Sequence, residues 1–335
     1  MRSIPPRAPR RCMLALALGL AALACSDQGS TPAGPAASGA RDVVMADGSH
    51  VSVRSRGLRI FAASSSVVDF VVALAPPERV AALPEQALDY SALPADNAAW
   101  QRVPRFSTFV AEEVIARSPD LVIAEPWQDK DTAARLKSAG IEVVVLPEVR
   151  TWKDARATLL SVGQLLELED RAREVVRDLD ARVAVLEAHP GARVGLRALC
   201  YSNFGSGWSA GIHTTIHEQI VLAGMSNAMA ERGADGHVQV SFEDLIALDP
   251  DLILVSMPLH QGDGTQGDRG GASQRLLETE PSLRELRAVK NKRIIALPPS
   301  LFATGSQSIV SGAEALAAAV DAMLAREAGS SEKRE

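Results

Sequence analysis

The sequence predicts an α/β protein: two Rossmann-like lobes with mostly parallel sheets, joined by one long backbone helix, with a cleft between the lobes. Three observations carry this expectation. Residues 112–123, "EEVIARSPDLVI", and 243–254, "EDLIALDPDLIL", agree at six of twelve positions with a constant offset of 131, the mark of an internal repeat. Each copy ends in a continuous apolar run bounded by turn residues, which fits a strand buried on both faces of a parallel sheet. Between the copies, residues 151–188 carry apolar side chains at helical spacing with no proline.

Taken in order, the chain opens with Arg2, Arg7, Arg10 and Arg11 before the apolar run "MLALALGLAALA" and Cys25. A cationic stretch, a short apolar stretch and small residues make an export signal over 1–25, too short to span a membrane. The segment "AALAC" resembles a bacterial lipobox, in which Cys25 would carry the lipid. Ala22 stands where leucine is commoner. Residues 26–42 are small, polar and Pro/Gly-rich, as in a flexible tether.

The first lobe is placed at 43–150. It begins with a hairpin around Asp47-Gly48 and continues into the strand "RIFAAS" (59–64). The connecting helix occupies 151–189, with Gly163 a candidate kink and His189-Pro190 its end. The second lobe, 190–325, opens with "VGLRALCYS" (194–202). A second pair of strands, "VVVLP" (143–147) and "IIALP" (294–298), is offset by 151, so the second copy has gained 20 residues (151 − 131). The glycine-rich 261–271 falls in that interval, with His260 at its edge; it holds no phosphate-loop pattern. Residues 326–335 are expected to form a solvated tail.

Composition narrows the function. The 335 residues are 47% hydrophobic with net charge −6, which gives no basis for a nucleic-acid partner. Of three cysteines, Cys12 would leave with the signal and Cys25 would carry the lipid. Cys200 remains in the folded body, without a disulfide partner, as a buried strand residue. His213 and His217 lie four apart with Glu218 adjacent, a spacing that puts two metal ligands on one helix face. Ile220 and Val221 stand where the second histidine of a zinc-peptidase signature would approach. No third ligand or catalytic acid is indicated, so neither a catalytic residue nor a metal site is assigned. Thr214 or Thr215 is expected to cap a helix there, with Glu218 in its first turn.

The segments "RIFAASSSVVDFVVALA", "EEVIARSPDLVI", "GIEVVVLP", "HTTIHEQIVLAGMSNAMAERG", "SFEDLIALDPDLILV" and "LRAVKNKRIIALP" occur in one order along the chain. In that order they resemble the helical-backbone (class III) periplasmic substrate-binding proteins of ABC importers, the type that takes up vitamin B12, ferric siderophores or haem. The resemblance covers nearly all of 43–323. It implies a monomeric, non-catalytic carrier outside the cell membrane, partnered by a permease and its ATPase, with no resident cofactor. The bound ligand is then a cobalt or iron chelate. It also implies one docking glutamate on each lobe, at Glu112 and Glu243. These are the paired glutamates of the repeat, as a pseudo-twofold permease requires.

For the cleft, the resemblance points to aromatics on strand-end loops: Tyr90, Phe109 and Trp127 on the first lobe, and Trp208 and Phe302 on the second. His237 stands where relatives place a tryptophan or a metal-ligating tyrosine. Aromatic walls suit large flat ligands. Trp152 is assigned to packing and Trp100 is left open. Arg102, Arg105 and Arg232 are the cationic residues that an anionic siderophore could use.

Haem would need an axial ligand. The first lobe over 58–150 has neither histidine nor cysteine, leaving Tyr90 there and His237 opposite. A corrinoid or ferric siderophore is therefore the first expectation and haem the second. A zinc-dependent hydrolase, and a lipid-tethered sensor that meets no permease, are rival readings.

Overall fold

The computed structural model describes residues 39–54, 59–94, 96–257, 271–302 and 304–332. The export signal, Cys25, residues 26–38 of the tether, His260 and residues 261–270 lie outside them.

The expected hairpin comes first, β1 (Arg41–Val44) and β2 (His50–Val53), with Asp47 Oδ1 accepting from Ser49 N at 2.9 Å and Gly48 at φ 80°. It is antiparallel, and His50 is exposed beside Asp42 at 2.6 Å. The first lobe follows: β3 (Ile60–Ala62), α1 (Ser65–Leu74), β4 (Val80–Pro84), α2 (Ala87–Tyr90), α3 (Ala98–Gln101), β5 (Arg105–Phe106), α4 (Ala111–Ala116), β6 (Leu121–Ala124), α5 (Lys130–Ser138) and β7 (Glu142–Val145). The linker is α6 (Trp152–Leu166) and α7 (Glu169–Ala188). The second lobe comprises β8 (Arg197–Cys200), β9 (Ser202–Asn203), β10 (Gly207–Ala210), α8 (Thr215–Leu222), β11 (Ser226–Asn227), α9 (Ala228–Glu231), β12 (His237–Gln239), α10 (Phe242–Leu248), β13 (Leu252–Ser256), α11 (Gly271–Thr279), α12 (Arg287–Lys290), β14 (Ile294–Leu297) and α13 (Ser308–Glu332).

The first sheet runs β5-β4-β3-β6-β7 and the second β11-β8-β13-β14; every pairing within them is parallel. The order β4-β3-β6-β7 in one lobe matches β11-β8-β13-β14 in the other. The repeat legible in sequence is therefore a repeat of topology, with α4 and β6 answering to α10 and β13. The two sheets are separate. Strand burial explains the unbroken apolar runs: Leu121, Val122, Ile123 and Leu252, Ile253, Leu254, Val255 are all 0% exposed. A small antiparallel sheet, β12-β10-β9, extends the second lobe.

The connection is helical over nearly its expected length but is not one helix. Thr151 and Asp154 form a capping box that starts α6, and Glu167, in the left-handed region at φ 55°, ends it. The chain turns there and α7 packs back along α6. Trp152 Nε1 donates to Asp180 Oδ1 at 3.1 Å, and Arg156 Nε lies 2.9 Å from Asp180 Oδ2. Gly163 is the near-contact of this hairpin, not a kink, since a Cβ there would stand 2.4 Å from the Ala172 Cβ. The longer α7, about 30 Å at 1.5 Å per residue, is the backbone helix proper. It ends at His189, its C-cap, as the sequence implies. Arg182 Nε reaches Glu314 Oε1 at 2.9 Å, tying α7 to α13.

The expected C-terminal tail is largely helix, because α13 runs on to Glu332. Its residues Ile309, Ala313, Leu316, Val320 and Met323 recur at three and four and are buried, so helical spacing again marks the face that packs. Gly312 lies where α13 crosses α8: a Cβ there would be 2.2 Å from Gln219 Nε2 and 2.6 Å from the Leu301 carbonyl. Gly312→Ala is expected to cost about 1–3 kcal/mol through overpacking, read as a lower denaturant midpoint at unchanged m-value.

Candidate functional site

Strand-end loops converge on a cavity of about 330 Å³ between the lobes. Its aromatic and apolar lining is Tyr90, Phe204, Trp208, Phe302, Ile216 and Met257, with Pro299; Ser202, Ser209, Ser256 and Ser273 supply hydroxyls, and Cys200 and His237 complete it. No Asp, Glu, Lys or Arg is among these described lining residues.

Each wall has a local reason for its place. Tyr90 ends α2, where Ser91 Oγ donates to the Ala87 carbonyl at 2.6 Å. It thus lies on a short helix rather than the expected loop. Trp208 and His237 face in from adjacent antiparallel strands, β10 and β12, where Ala210 pairs with His237. Trp208 Nε1 donates to Ser206 Oγ at 3.1 Å. Phe302 follows β14 in a turn closed by Phe302 N to the Pro298 carbonyl at 2.9 Å. Ser209 Oγ donates to the Cys200 carbonyl at 2.6 Å. Burial pushes the Cys200 thiol up to about 11, so at neutral pH it is an uncharged, inert part of the floor.

Four of the six expected ligand residues are thus brought together: Tyr90, Trp208, His237 and Phe302. Two are not. Phe109 turns into the first-lobe core against Phe61, at 6.2 Å between ring centroids, with Phe61 stacked on Phe106 at 4.5 Å. Trp127 is 72% exposed and lines no part of the cavity. Burial raises the Glu125 carboxyl above the usual range, and Ser64 Oγ donates to it. The sequence reading missed Phe204, 71% exposed at the tip between β9 and β10; "SNFGSGW" carries it in the same turn as Trp208. The serine floor has no sequence signal, because four hydroxyls from β9, β10, β13 and α11 meet only through tertiary packing.

The cationic candidates do not converge here. Arg232 Nη1 pairs with Asp244 Oδ1 at 2.6 Å, Arg105 Nη2 donates to the Trp100 carbonyl at 3.3 Å, and Arg102 is exposed; none lines the cavity. Trp100 and Trp152 are both buried packing residues.

The histidine pair does not share a helix face. Thr214 caps α8 by accepting from His217 N, and His213 lies before the cap at φ 59°, paired with Asp235 at 2.8 Å. His217 instead faces Asn227 Nδ2 at 3.3 Å, and burial lowers its pKa. Glu218 Oε1 accepts from Trp152 N at 2.9 Å. Among the described residues, no three His, Cys, Asp or Glu side chains are grouped to hold a metal.

Glu112 and Glu243 occupy the first turns of α4 and α10 and are exposed. In each turn the neighbouring acid is committed internally: Glu113 pairs with Arg117 at 3.7 Å, and Asp244 closes the Ser241 capping box and binds Arg232. The two outward carboxylates therefore sit at equivalent places on the two lobes.

Comparison with known proteins agrees with this architecture. A family model described as "Periplasmic binding protein" matches residues 60–301. An uncharacterized ABC transporter substrate-binding lipoprotein of Bacillus subtilis is 22% identical over 219 residues, 62% of this chain and 64% of the relative. A cobalamin-binding protein of Halobacterium salinarum is 27% identical over 155 residues, 46% of this chain and 42% of its own length. The chain thus spans less than two thirds of either curated relative. A crystal structure described as an ABC-type Fe3+-hydroxamate transport system from Saccharomonospora viridis is 25% identical with TM-score 0.65, covering 82% of this chain and 96% of that one. The matched segment holds both sheets, the linking helices and most of the cavity wall, and the chain belongs to the periplasmic binding protein family.

Proposed function

We propose that the chain is the substrate-binding component of an ABC importer. It captures a metal chelate with no net charge at its bound face, a corrinoid or a ferric siderophore of hydroxamate type, and delivers it to a membrane permease and its ATPase. The observation that carries this reading is the cavity: aromatic walls over a floor of serine hydroxyls, with no Asp, Glu, Lys or Arg among the described lining residues. Three hydroxamates neutralise Fe3+, and a corrinoid presents a rim of neutral amides. A tricatecholate complex of Fe3+ keeps three negative charges, and burying these without cations is costly. The cavity lies at the small end for ligand pockets, so a corrinoid would seat one face here and leave the rest in the gap between lobes.

In this reading the chain performs no catalysis and carries no resident cofactor. It acts as an exported monomer tethered through lipid on Cys25, in line with the lipoprotein designation of the Bacillus subtilis relative. Glu112 and Glu243 dock to cationic residues of the permease, one per lobe.

Titration of the protein with cyanocobalamin, a ferric trihydroxamate, a ferric tricatecholate and haemin, followed by tryptophan quenching, tests the ligand. Saturable quenching by one of the first two is expected, lost in Trp208→Phe. Binding of the tricatecholate alone, or of nothing in the panel, would overturn the reading. Haem is the runner-up, because Tyr90 and His237 meet in one cavity from opposite lobes and could supply axial ligands. Haemin binding whose absorption spectrum changes in both Tyr90→Phe and His237→Ala would establish it instead.

A further inference from the structure

Two walls of the cavity are tied to the same side chain, which does not itself line it. Asp69, in α1 of the first lobe, is 1% exposed. Its Oδ1 accepts from Ala92 N at 2.6 Å, two residues beyond Tyr90. Its Oδ2 accepts from the segment that follows Phe302: from Thr304 Oγ1 at 3.3 Å, Ser308 Oγ at 2.9 Å and Ser306 Oγ. Gln307 Nε2 donates to the Asp69 backbone carbonyl at 2.6 Å. The same segment lies against the first turn of α1 at Gly305, where a Cβ would come 3.1 Å from Ser66 Oγ. Thr304, Ser306, Gln307 and Ser308 are all buried, so water does not compete for these bonds.

We infer that Asp69 is a positioning residue that sets the width of the ligand cleft, one carboxylate oxygen holding the Tyr90 turn and the other the Phe302 segment. The inference rests on the proposed function only in taking the cavity as the ligand site. Tyr90 comes from the first lobe and Phe302 from the crossing between β14 and α13, so their separation is a matter of how the lobes are joined. A buried carboxylate accepting four hydrogen bonds is stiff, because moving either wall leaves a donor unpaired in a dry environment. The walls are thereby held at one spacing before ligand arrives, and a preorganised site spends less of its binding free energy on ordering.

Asp69→Asn keeps the size of the side chain but replaces one acceptor with an amide donor facing three hydroxyls. The full chain carrying it should bind the probe that wild type binds, cyanocobalamin or the ferric trihydroxamate, at least tenfold more weakly. Hydrogen exchange should accelerate at least tenfold in the peptides holding Ala92 and Ser308, and stay unchanged in β8 and β13. Leu74→Ala, at the far end of the same helix, serves as a stability control that should leave affinity within twofold. If Asp69→Asn does not fold, Ser306→Ala and Ser308→Ala are read instead and should loosen the Phe302 segment alone. Affinity within twofold of wild type in folded Asp69→Asn, exchange unchanged at either wall in that variant, exchange unchanged at the Phe302 segment in the serine variants, or an equal loss in Leu74→Ala would overturn the inference. Should wild type bind none of the probes, the functional reading fails, and the exchange pattern alone decides the role of Asp69.

Discussion

Replacing Glu112 and Glu243 together by alanine is expected to abolish ligand uptake into cells while leaving ligand affinity within about twofold of wild type. Both carboxylates sit on the outer surface of their lobes, in first helical turns, and their acidic neighbours Glu113 and Asp244 are already engaged within the chain. Removing one partner of a desolvated charge pair costs about 2–5 kcal/mol, and two such losses on one docking surface exceed what a transient complex can absorb. Each single substitution should reduce uptake strongly, and the double should reach background. The structural alternative is that both residues only complement their helix dipoles, an effect worth about 0.3–1 kcal/mol. That alternative predicts slightly lower thermal stability with normal uptake. Measuring transport, affinity and melting temperature on the same variants separates the two. Wild-type uptake by the double variant would end the docking proposal.

Truncating the cavity walls is expected to have the second large effect. Trp208→Ala and Phe302→Ala should each weaken binding by about 2 kcal/mol or more, roughly thirtyfold, as for central aromatic anchors at an interface. Trp127→Ala should change affinity less than about threefold, because that residue is exposed and lines no part of the cavity. Phe109→Ala should lower stability and not affinity, since its ring packs against Phe61. Isothermal titration with the chelate that quenches Trp208 gives all four values. A larger effect at Trp127 than at Trp208 would show that the ligand sits on the first lobe outside the cavity.

The contrast between these aromatics shows where sequence reasoning stops. All were selected by the same rule, an aromatic residue on a loop at a strand end, and the rule is indifferent to direction. Trp208 and His237 face the cavity because they lie on neighbouring antiparallel strands, β10 and β12. Phe109 leaves it because the turn before α4 brings its ring over Phe61. The linker shows the same limit. Its apolar spacing reads as one helix on either side of Glu167, and only packing against Ala172 reveals why position 163 is a glycine. Asp69 carries no signal at all in the sequence, for its partners lie 23 and 235–239 residues away.

The sequence alone determined the two-lobed α/β architecture, the repeat and the paired surface glutamates. Each of these depends on local periodicity: apolar runs that must be buried on both faces, and turn residues that bound them. Tertiary structure alone decided which aromatics share a cavity, that its floor is serine hydroxyl, and that one carboxylate joins its walls. Those facts depend on the relative placement of segments far apart in the chain, which loop direction and inter-lobe packing fix and residue order does not encode locally.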